Sequence, residues 1–333
     1  MLSVICPIYN EEKYIAKCID SILAQDYPKD DLEVIFVDGM STDRTRGIVK
    51  SYIAKYSFIQ LLDNPKRIAP CAMNVGIQAS KGDVIMRLDG HSLYPINYFS
   101  SLVSWLGKLP DASNVGAVCD TDVINKNPTS MAIAKVMSDK IGVGNSTFRT
   151  GSNAEYIEVD TVPFGCYKRE VFDEIGLYNE ELVRCQDIEL NKRLKRAGGK
   201  IYLIPSVHCT YIPRDKFKDF ASNRYLTGYW VIKSSFICKT FKNLGLRHFI
   251  PLLFVMSILI TLLAGLFWWQ FFILTGVALL SYLTLISVRS MMIVDANTRV
   301  LNIVWAFITL HVSYGWGSIC AIVDKLFHLR QNK

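Results

Sequence analysis

VIMRLDGHSLYP, residues 84–95, decides how the first half of the chain reads. An apolar run stops abruptly at Asp89-Gly90-His91. A short apolar run bounded by a turn signal reads as a strand covered on both faces, as in parallel sheets between helices. Asp89 and His91 stand one residue apart just past the strand end, so both can point to one ligand. Gly90 lets the backbone approach closely. Carboxylate and neutral imidazole both suit a divalent cation, Mn²⁺ or Mg²⁺, and a cation there would neutralise a diphosphate. The same three residues also fit a plain turn in which Asp89 caps the helix that follows.

Outward from this stretch, strands and helices alternate. Upstream, LSVIC, LEVIFVD and FIQLLD are apolar strands, and LEVIFVD ends in Asp38-Gly39. EEKYIAKCIDSILAQ places Tyr14, Ile15, Cys18, Ile19, Ile22 and Leu23 at helical spacing. STDRTRGIVKSYIAKY reads as a second helix, with Ser41 or Thr42 as N-cap and Asp43 in the first turn. APCAMNVGIQAS is a short third helix. The pattern predicts a parallel sheet covered on both faces, with ligands bound beyond the carboxyl ends of its strands. Asp38 and Asp89 both stand at such ends and would face one crevice.

Downstream, NVGAV reads as a strand and MAIAKVMSDK as a helix. The Gly/Ser/Asn-rich IGVGNSTFRTGSN reads as a mobile loop near the site, and VDTVPFGCYKREVF as a strand, a turn and a helix start. QDIELNKRLKRAGG is an amphipathic helix built on Ile188, Leu190, Leu194 and Ala197 and stopped by Gly198-Gly199. KIYLIPS is a last strand.

From Arg214 to Arg247 basic residues are interleaved with Phe, Tyr, Trp, Leu and Ile, which suits a helix in the membrane interface or an ordinary surface helix. Three apolar segments follow, 249–268, 271–289 and 300–323, each near the ~20 residues that a bilayer core needs. Trp268 and Trp269 sit where an aromatic belt would place them, at the turn of a helical hairpin. The third segment contains His311, Tyr314, Gly315 and Gly317, and either spans or bends back. A cytoplasmic start followed by three spans would put Lys325, Arg330 and Lys333 outside, against the positive-inside rule.

The bulk composition agrees with this division. Hydrophobic residues make up 50% of the chain, concentrated after Phe249, and the formal charge is +7. There is no Lys/Arg block and no zinc-finger spacing, so no nucleic-acid partner is expected. The nine cysteines form no C-x-x-C pair and read as reduced thiols. LSVICPIYN follows Met1 directly and lacks the pattern of a signal peptide, so the N-terminal part is expected in the cytoplasm.

Six segments occur in a telling order: CPIYNEEKYIAKCIDSILAQDYP, VDGMSTDRT, DNPKRIAPCAMNVGI, GDVIMRLDGHSLYP, VDTVPFGCYKREVF and QDIELNKRLKRAGG. In that order they resemble family 2 glycosyltransferases of the A-type fold, most closely the ExoA-like branch that makes succinoglycan and other exopolysaccharides. The resemblance implies an α/β fold: a Rossmann-like nucleotide-diphospho-sugar transferase domain with C-terminal interfacial and transmembrane helices. It places the transferase domain at 1–213, the interfacial segment at 214–248 and the membrane helices with a short basic tail at 249–333.

The resemblance also implies roles. Pro7, Tyr9, Asn10 and Glu11 would surround the nucleoside base, and Asp38 the uracil or ribose. Arg67, Ala72 and Asn74 would line the nucleotide side. Asp89 and His91 take the place of the family's D-x-D metal motif, with Asp89 also on the donor. Phe164, Gly165 and Cys166 would approach the donor sugar or acceptor. Gln186-Asp187 matches the family's E-D pair, with Asp187 as catalytic base and Gln186 beside the substrate. From its residues alone, Asp187 equally fits an N-cap of its own helix. NRYLTGYW, residues 223–230, lacks the Q-x-x-R-W of processive synthases.

The function implied is an inverting transfer of a hexose from a UDP-sugar to an acceptor carried on a polyprenyl diphosphate. It would serve exopolysaccharide or cell-surface glycan synthesis at the inner membrane, in contact with membrane lipids. Two alternatives stay open: a transferase that makes a polyprenyl-phosphate sugar, and an inactive nucleotide-binding membrane scaffold.

Overall fold

In the computed structural model of the chain, the described residues are 1–123, 125–241 and 244–331, with side chains described as far as Phe327. Lys333 and the Arg330 side chain, of the expected basic tail, lie outside this set. So do Lys242 and Asn243 of the expected interfacial stretch.

The chain begins with β1 (Leu2–Ile8), α1 (Ile15–Leu23), β2 (Leu32–Asp38), α2 (Thr45–Ile53), β3 (Ile59–Asp63), α3 (Ala69–Ala79) and β4 (Val84–Arg87). It continues through β5 (Ser92–Leu93), α4 (Tyr98–Lys108), β6 (Ala112–Thr121), α5 (Pro128–Met137), α6 (Lys140–Val143), α7 (Thr147–Thr150) and β7 (Ile157–Glu158). Next come β8 (Cys166–Lys168), α8 (Glu170–Ile175), α9 (Gln186–Arg196) and β9 (Lys200–Tyr211). Four longer helices end the chain: α10 (Phe217–Ile237), α11 (Ile250–Gly265), α12 (Gln270–Ile293) and α13 (Val300–Gln331).

The chain packs as two compact units, Met1–Asp120 with Thr147–Tyr211, and Thr121–Ser146 with Ile212–Lys333. The grouping runs across the expected stretches 1–213, 214–248 and 249–333 at residues 121–146. From the end of β6, residues 121–146 leave the sheet and pack in one unit with residues 212–333. Their apolar residues Ala132, Ile133, Val136 and Met137 are buried with Phe220, Ile286, Ile303 and Phe307.

In the first unit the strand order is β3-β2-β1-β4-β8-β6-β9-β5, with β7 on β9. Strands β1 to β4 pair in parallel, as the alternation of strands and helices predicts. The rest of the sheet does not follow that expectation: β8 runs antiparallel to β4 and β6, and β5 and β7 antiparallel to β9. β8 enters between β4 and β6, two strands that precede it in the chain, and runs opposite to both.

Successive strand residues point to opposite faces and build two cores. Val4, Cys6, Val34 and Phe36 pack with α1 and α4, through Ile15, Ile19, Phe99 and Leu102. Ile5, Ile35, Val37 and Ile85 pack with α3, α8 and α9, through Met73, Phe172, Leu190 and Leu194. Burying an aliphatic side chain of this size stabilises by about 1.5–3 kcal/mol, so the alternating pattern fixes which face each strand shows.

Local expectations fared unevenly. Gly198, at φ +92°, ends α9 as read. Ser41 and Thr42 do not cap α2, which starts at Thr45 after Arg44. Their polar groups are taken elsewhere: Ser41 Oγ donates to Asp38 Oδ1 at 2.5 Å, and Thr42 N–H donates to Asn10 Oδ1 at 2.8 Å. Asp43 precedes the helix, accepting from Thr45 N–H at 3.0 Å. The stretch read as a mobile loop contains the short helices α6 and α7.

In the second unit, Leu246–Gly265, Gln270–Ile293 and Val300–Phe327 are long and apolar enough to cross a membrane. The hairpin turn, expected at Trp268–Gln270, falls at residues 266–269, and Gln270 already opens α12. Gly315 and Gly317 do not interrupt α13. They admit neighbouring backbones instead: a Cβ on Gly315 would lie 2.9 Å from the carbonyl carbon of Pro251, and one on Gly317 3.0 Å from Tyr229 N.

Candidate active site

The carboxyl ends of β1, β2 and β4 open on one pocket of about 280 Å³. Pro7, Tyr9, Glu11, Gly39, Arg67, Ala72, Arg87, Asp89 and His91 are among its lining residues. A parallel sheet end is where such a crevice is expected.

Asp89 is held by its backbone. Its N–H donates to Tyr94 Oη at 2.9 Å, and its carbonyl accepts from Ser92 N–H at 3.3 Å. The turn leads into β5, and no helix begins at Asp89, so the capping alternative falls. A Cβ on Gly90 would lie 2.9 Å from Ile8 Cγ2, so only glycine fits this turn undisturbed. His91 Nδ1 lies 3.0 Å from Glu11 Oε1, and its ring meets Tyr211 edge-on at 5.7 Å. Glu11 is thereby placed on the imidazole.

Arg87 was not singled out by the sequence reading, yet it organises the site. Its Nη1 donates to Asp187 Oδ1 in a close ion pair, and its Nη2 lies 3.2 Å from Asp89 Oδ1. Burial disfavours the guanidinium charge, but the two carboxylates outweigh it and hold Arg87 protonated. The signal was available: period two puts Arg87 and Asp89 on one side of the strand.

Asp187 stands in the first turn of α9, behind Cys185 at φ +65°. It does not cap that helix; the carboxylate is turned to Arg87. Its side chain keeps 25% of its exposure. Burial pushes its pKa above the ordinary carboxylate value, Arg87 opposes the rise, and Asp89 adds to it. An acid of raised pKa at a cleft is the kind of group that accepts a proton.

Other expected site residues do not line this pocket. Asn10, at φ +55°, ties two loops together, its N–H donating to Ser41 Oγ at 2.9 Å. Asp38 is fully buried, and Arg46 Nη1 bridges it at 2.6 Å to Asp63 at 2.7 Å. Asn74 clamps α3 to the segment before α9, through Tyr178 O at 2.9 Å and Glu180 Oε1 at 3.0 Å. Phe164 is buried edge-on against Tyr94, 6.4 Å between ring centres, and so supports the residue that holds Asp89. Gly165 O accepts from Arg87 N–H at 3.0 Å. Cys166 lies in β8, fully buried, and burial pushes its thiol pKa up; it is a packing residue. Gln186 is buried at the start of α9.

Residues 3–176 match the family described as Glycosyl transferase family 2. The chain is 31% identical over 270 residues to the dolichyl N-acetyl-alpha-D-glucosaminyl phosphate 3-beta-D-2,3-diacetamido-2,3-dideoxy-beta-D-glucuronosyltransferase of Methanococcus voltae, across 78% of this chain and 81% of that protein. It is 29% identical over 254 residues to the succinoglycan biosynthesis protein ExoA of Rhizobium meliloti (strain 1021), across 75% and 74%. In fold it is similar to the mannosyltransferase PcManGT of Pyrobaculum calidifontis, solved in complex with GDP-Man and Mn²⁺, with a TM-score of 0.61 at 18% identity over 97% of this chain and 87% of that one. The fold is thus the A-type nucleotide-sugar transferase fold. The family match takes in the strand ends that form the pocket, and by its length the chain belongs to glycosyl transferase family 2.

Proposed function

We propose that the protein is an inverting transferase that moves a hexose from a UDP-sugar to a lipid-linked acceptor at the cytoplasmic face of the inner membrane. The observation that carries this reading is the Arg87 bridge. It holds a base of raised pKa, Asp187, next to Asp89 at the pocket that would take the nucleotide. The acceptor hydroxyl must lose its proton as it attacks the anomeric carbon. Asp187 takes that proton. Attack from the face opposite the leaving UDP inverts the centre. Negative charge then grows on the diphosphate, and Arg67 and Arg87, both lining the pocket, stabilise it.

A divalent cation, Mn²⁺ or Mg²⁺, belongs to this proposal. Among the described residues no group of three or more His, Cys, Asp or Glu converges to hold a metal alone. Asp89 and His91 would hold it, with the donor's phosphates completing its shell, a usual arrangement for Mg²⁺ at nucleotide sites. When bound, the cation would offset the charge of the leaving diphosphate. The acceptor class is supported by the Methanococcus voltae relative, whose name gives a dolichyl-phosphate-linked acceptor. A role in exopolysaccharide or cell-surface glycan synthesis is supported by the Rhizobium meliloti relative.

The test is nucleotide release by the detergent-solubilised protein, given UDP- and GDP-sugars and membrane lipid, with Mn²⁺ or with chelator. UDP release that needs both lipid and cation is expected. Nucleotide binding without release from any donor would favour the scaffold alternative, and a product on a lipid monophosphate the polyprenyl-phosphate one.

A further inference from the structure

We infer that only the α11–α12 hairpin enters the bilayer and that α13 lies in the membrane plane at the base of that hairpin. The chain would then end on the side of the membrane where it begins. Composition alone gives α13 the length of a span; its packing says otherwise.

Between residues 256 and 281 of the hairpin only Gly265 and Thr275 are buried. Both are covered from within it, Gly265 by Phe272 and Thr275 by a 2.7 Å hydroxyl bond to Thr261. A third span would run along this surface and cover it. Instead α13 meets the hairpin at the first turns of α11 and from the middle of α12 onward: Gly315 packs on Pro251 and Val255, His311 Nδ1 lies 3.0 Å from Tyr282 Oη, and Ile286 is buried with Ile303 and Phe307.

The inward face of α13 is buried from Ile303 to Ala321, about 27 Å at 1.5 Å per residue. Part of its cover comes from α5 and α10. These helices carry Lys135, Lys218, Arg224 and Lys233. A spanning α13 would draw those charges into hydrocarbon, at several kcal/mol each.

The outward face is a stripe at alternating spacings of four and seven: Leu301, Trp305, Val312, Trp316, Val323 and Phe327, each between 41% and 80% exposed. Exposed Arg299 and Lys325 flank it. An apolar stripe with tryptophans, continuous with a membrane hairpin and flanked by cations, fits the boundary between headgroups and acyl chains of an anionic leaflet. The arrangement also removes the conflict with the positive-inside rule, because Arg289, Arg299 and Lys325 then share one side.

The inference needs membrane association only, so it stands or falls apart from the transfer reaction. Protease-cleavable tags on both termini of the full chain, in sealed inverted vesicles, read the sidedness. Cleavage of both tags together is expected; protection of one alone overturns the inference. Depth comes from fluorescence quenching in variants keeping only Trp305 or Trp316, the other tryptophans being Phe, in vesicles of phosphatidylethanolamine and phosphatidylglycerol with labelled lipids. Equal quenching of both by lipids labelled near the headgroup is expected. A spanning helix would put Trp316 near the bilayer centre, and preferential quenching of Trp316 by lipids labelled at the chain end would refute the in-plane placement.

Discussion

Arg87 sets the electrostatics of the candidate site, because one buried guanidinium serves two carboxylates with different proposed duties. Asp187→Asn keeps the shape and a hydrogen-bond acceptor for Arg87 but removes the base. Its kcat should fall by about 10²–10⁴, the usual worth of positioned proton transfer, with UDP affinity unchanged by calorimetry. An equal loss of affinity would instead make Asp187 a binding group. The pH profile follows from the direction of the shift. Burial raises the Asp187 pKa, and only the deprotonated form accepts a proton. The rate should therefore climb with pH through a midpoint above the ~3.9 of an ordinary aspartate and then level off. Lipid-saturated assays between pH 4 and 8 would show it; a midpoint at or below the ordinary value would contradict the assignment.

Some of this was legible from residues alone. Asp89, Gly90, His91 and Asp187 could be named because a motif order placed them. Arg87 was hidden as a charge inside an apolar run. Asp38 and Asn74 read as lining the nucleotide side, and the structure gives each of them partners within the protein. Asp38 reads as a ligand because it stands at a strand end and Asn74 because a motif places it; Asn74 is tied to Glu180, 106 residues away, which no local spacing reveals.

At the scale of elements, periodicity revealed that a face is buried but not what covers it. Strands β1 to β4 and helices α1 to α3 were readable because strand and helix alternate without a break there, with β1, β2 and β3 paired in sequence order and β4 added on the other side of β1. The antiparallel entry of β8 and the departure of residues 121–146 depend on distant partners, and nothing in local spacing marks them. The glycines of α13 show the same limit: they read as weakness in a helix, yet they are contact points. Gly317→Ala would press a methyl onto Tyr225 and Tyr229 of α10 and should cost about 1–3 kcal/mol, the range for overpacking. Gly276→Ala, with nothing within 4 Å, is the control and should leave the melting temperature unchanged or raise it slightly. Thermal unfolding in one detergent compares the two, and equal melting temperatures would show that the α10–α13 contact is not tight.

For the whole molecule, the C-terminal unit carries helices long and apolar enough to cross a membrane and also covers buried faces of the fold. Ending the chain at residue 248 would strip α11 to α13 from the buried faces of α5 and α10, including Ile133, Met137 and Phe220. That fragment should aggregate on size exclusion, whereas a monodisperse fragment would mean that these faces do not need their cover. The central claim is transfer of a sugar to lipid by the base at the head of α9. The most direct measurement is mass spectrometry of lipids extracted after membranes bearing the protein, or its Asp187→Asn variant, are incubated with isotopically labelled UDP-hexoses. The account predicts a lipid heavier by one labelled hexose, present with the parent protein and absent with the variant. Labelled lipid formed equally by both, or no labelled lipid from a protein that binds the donor, would contradict it.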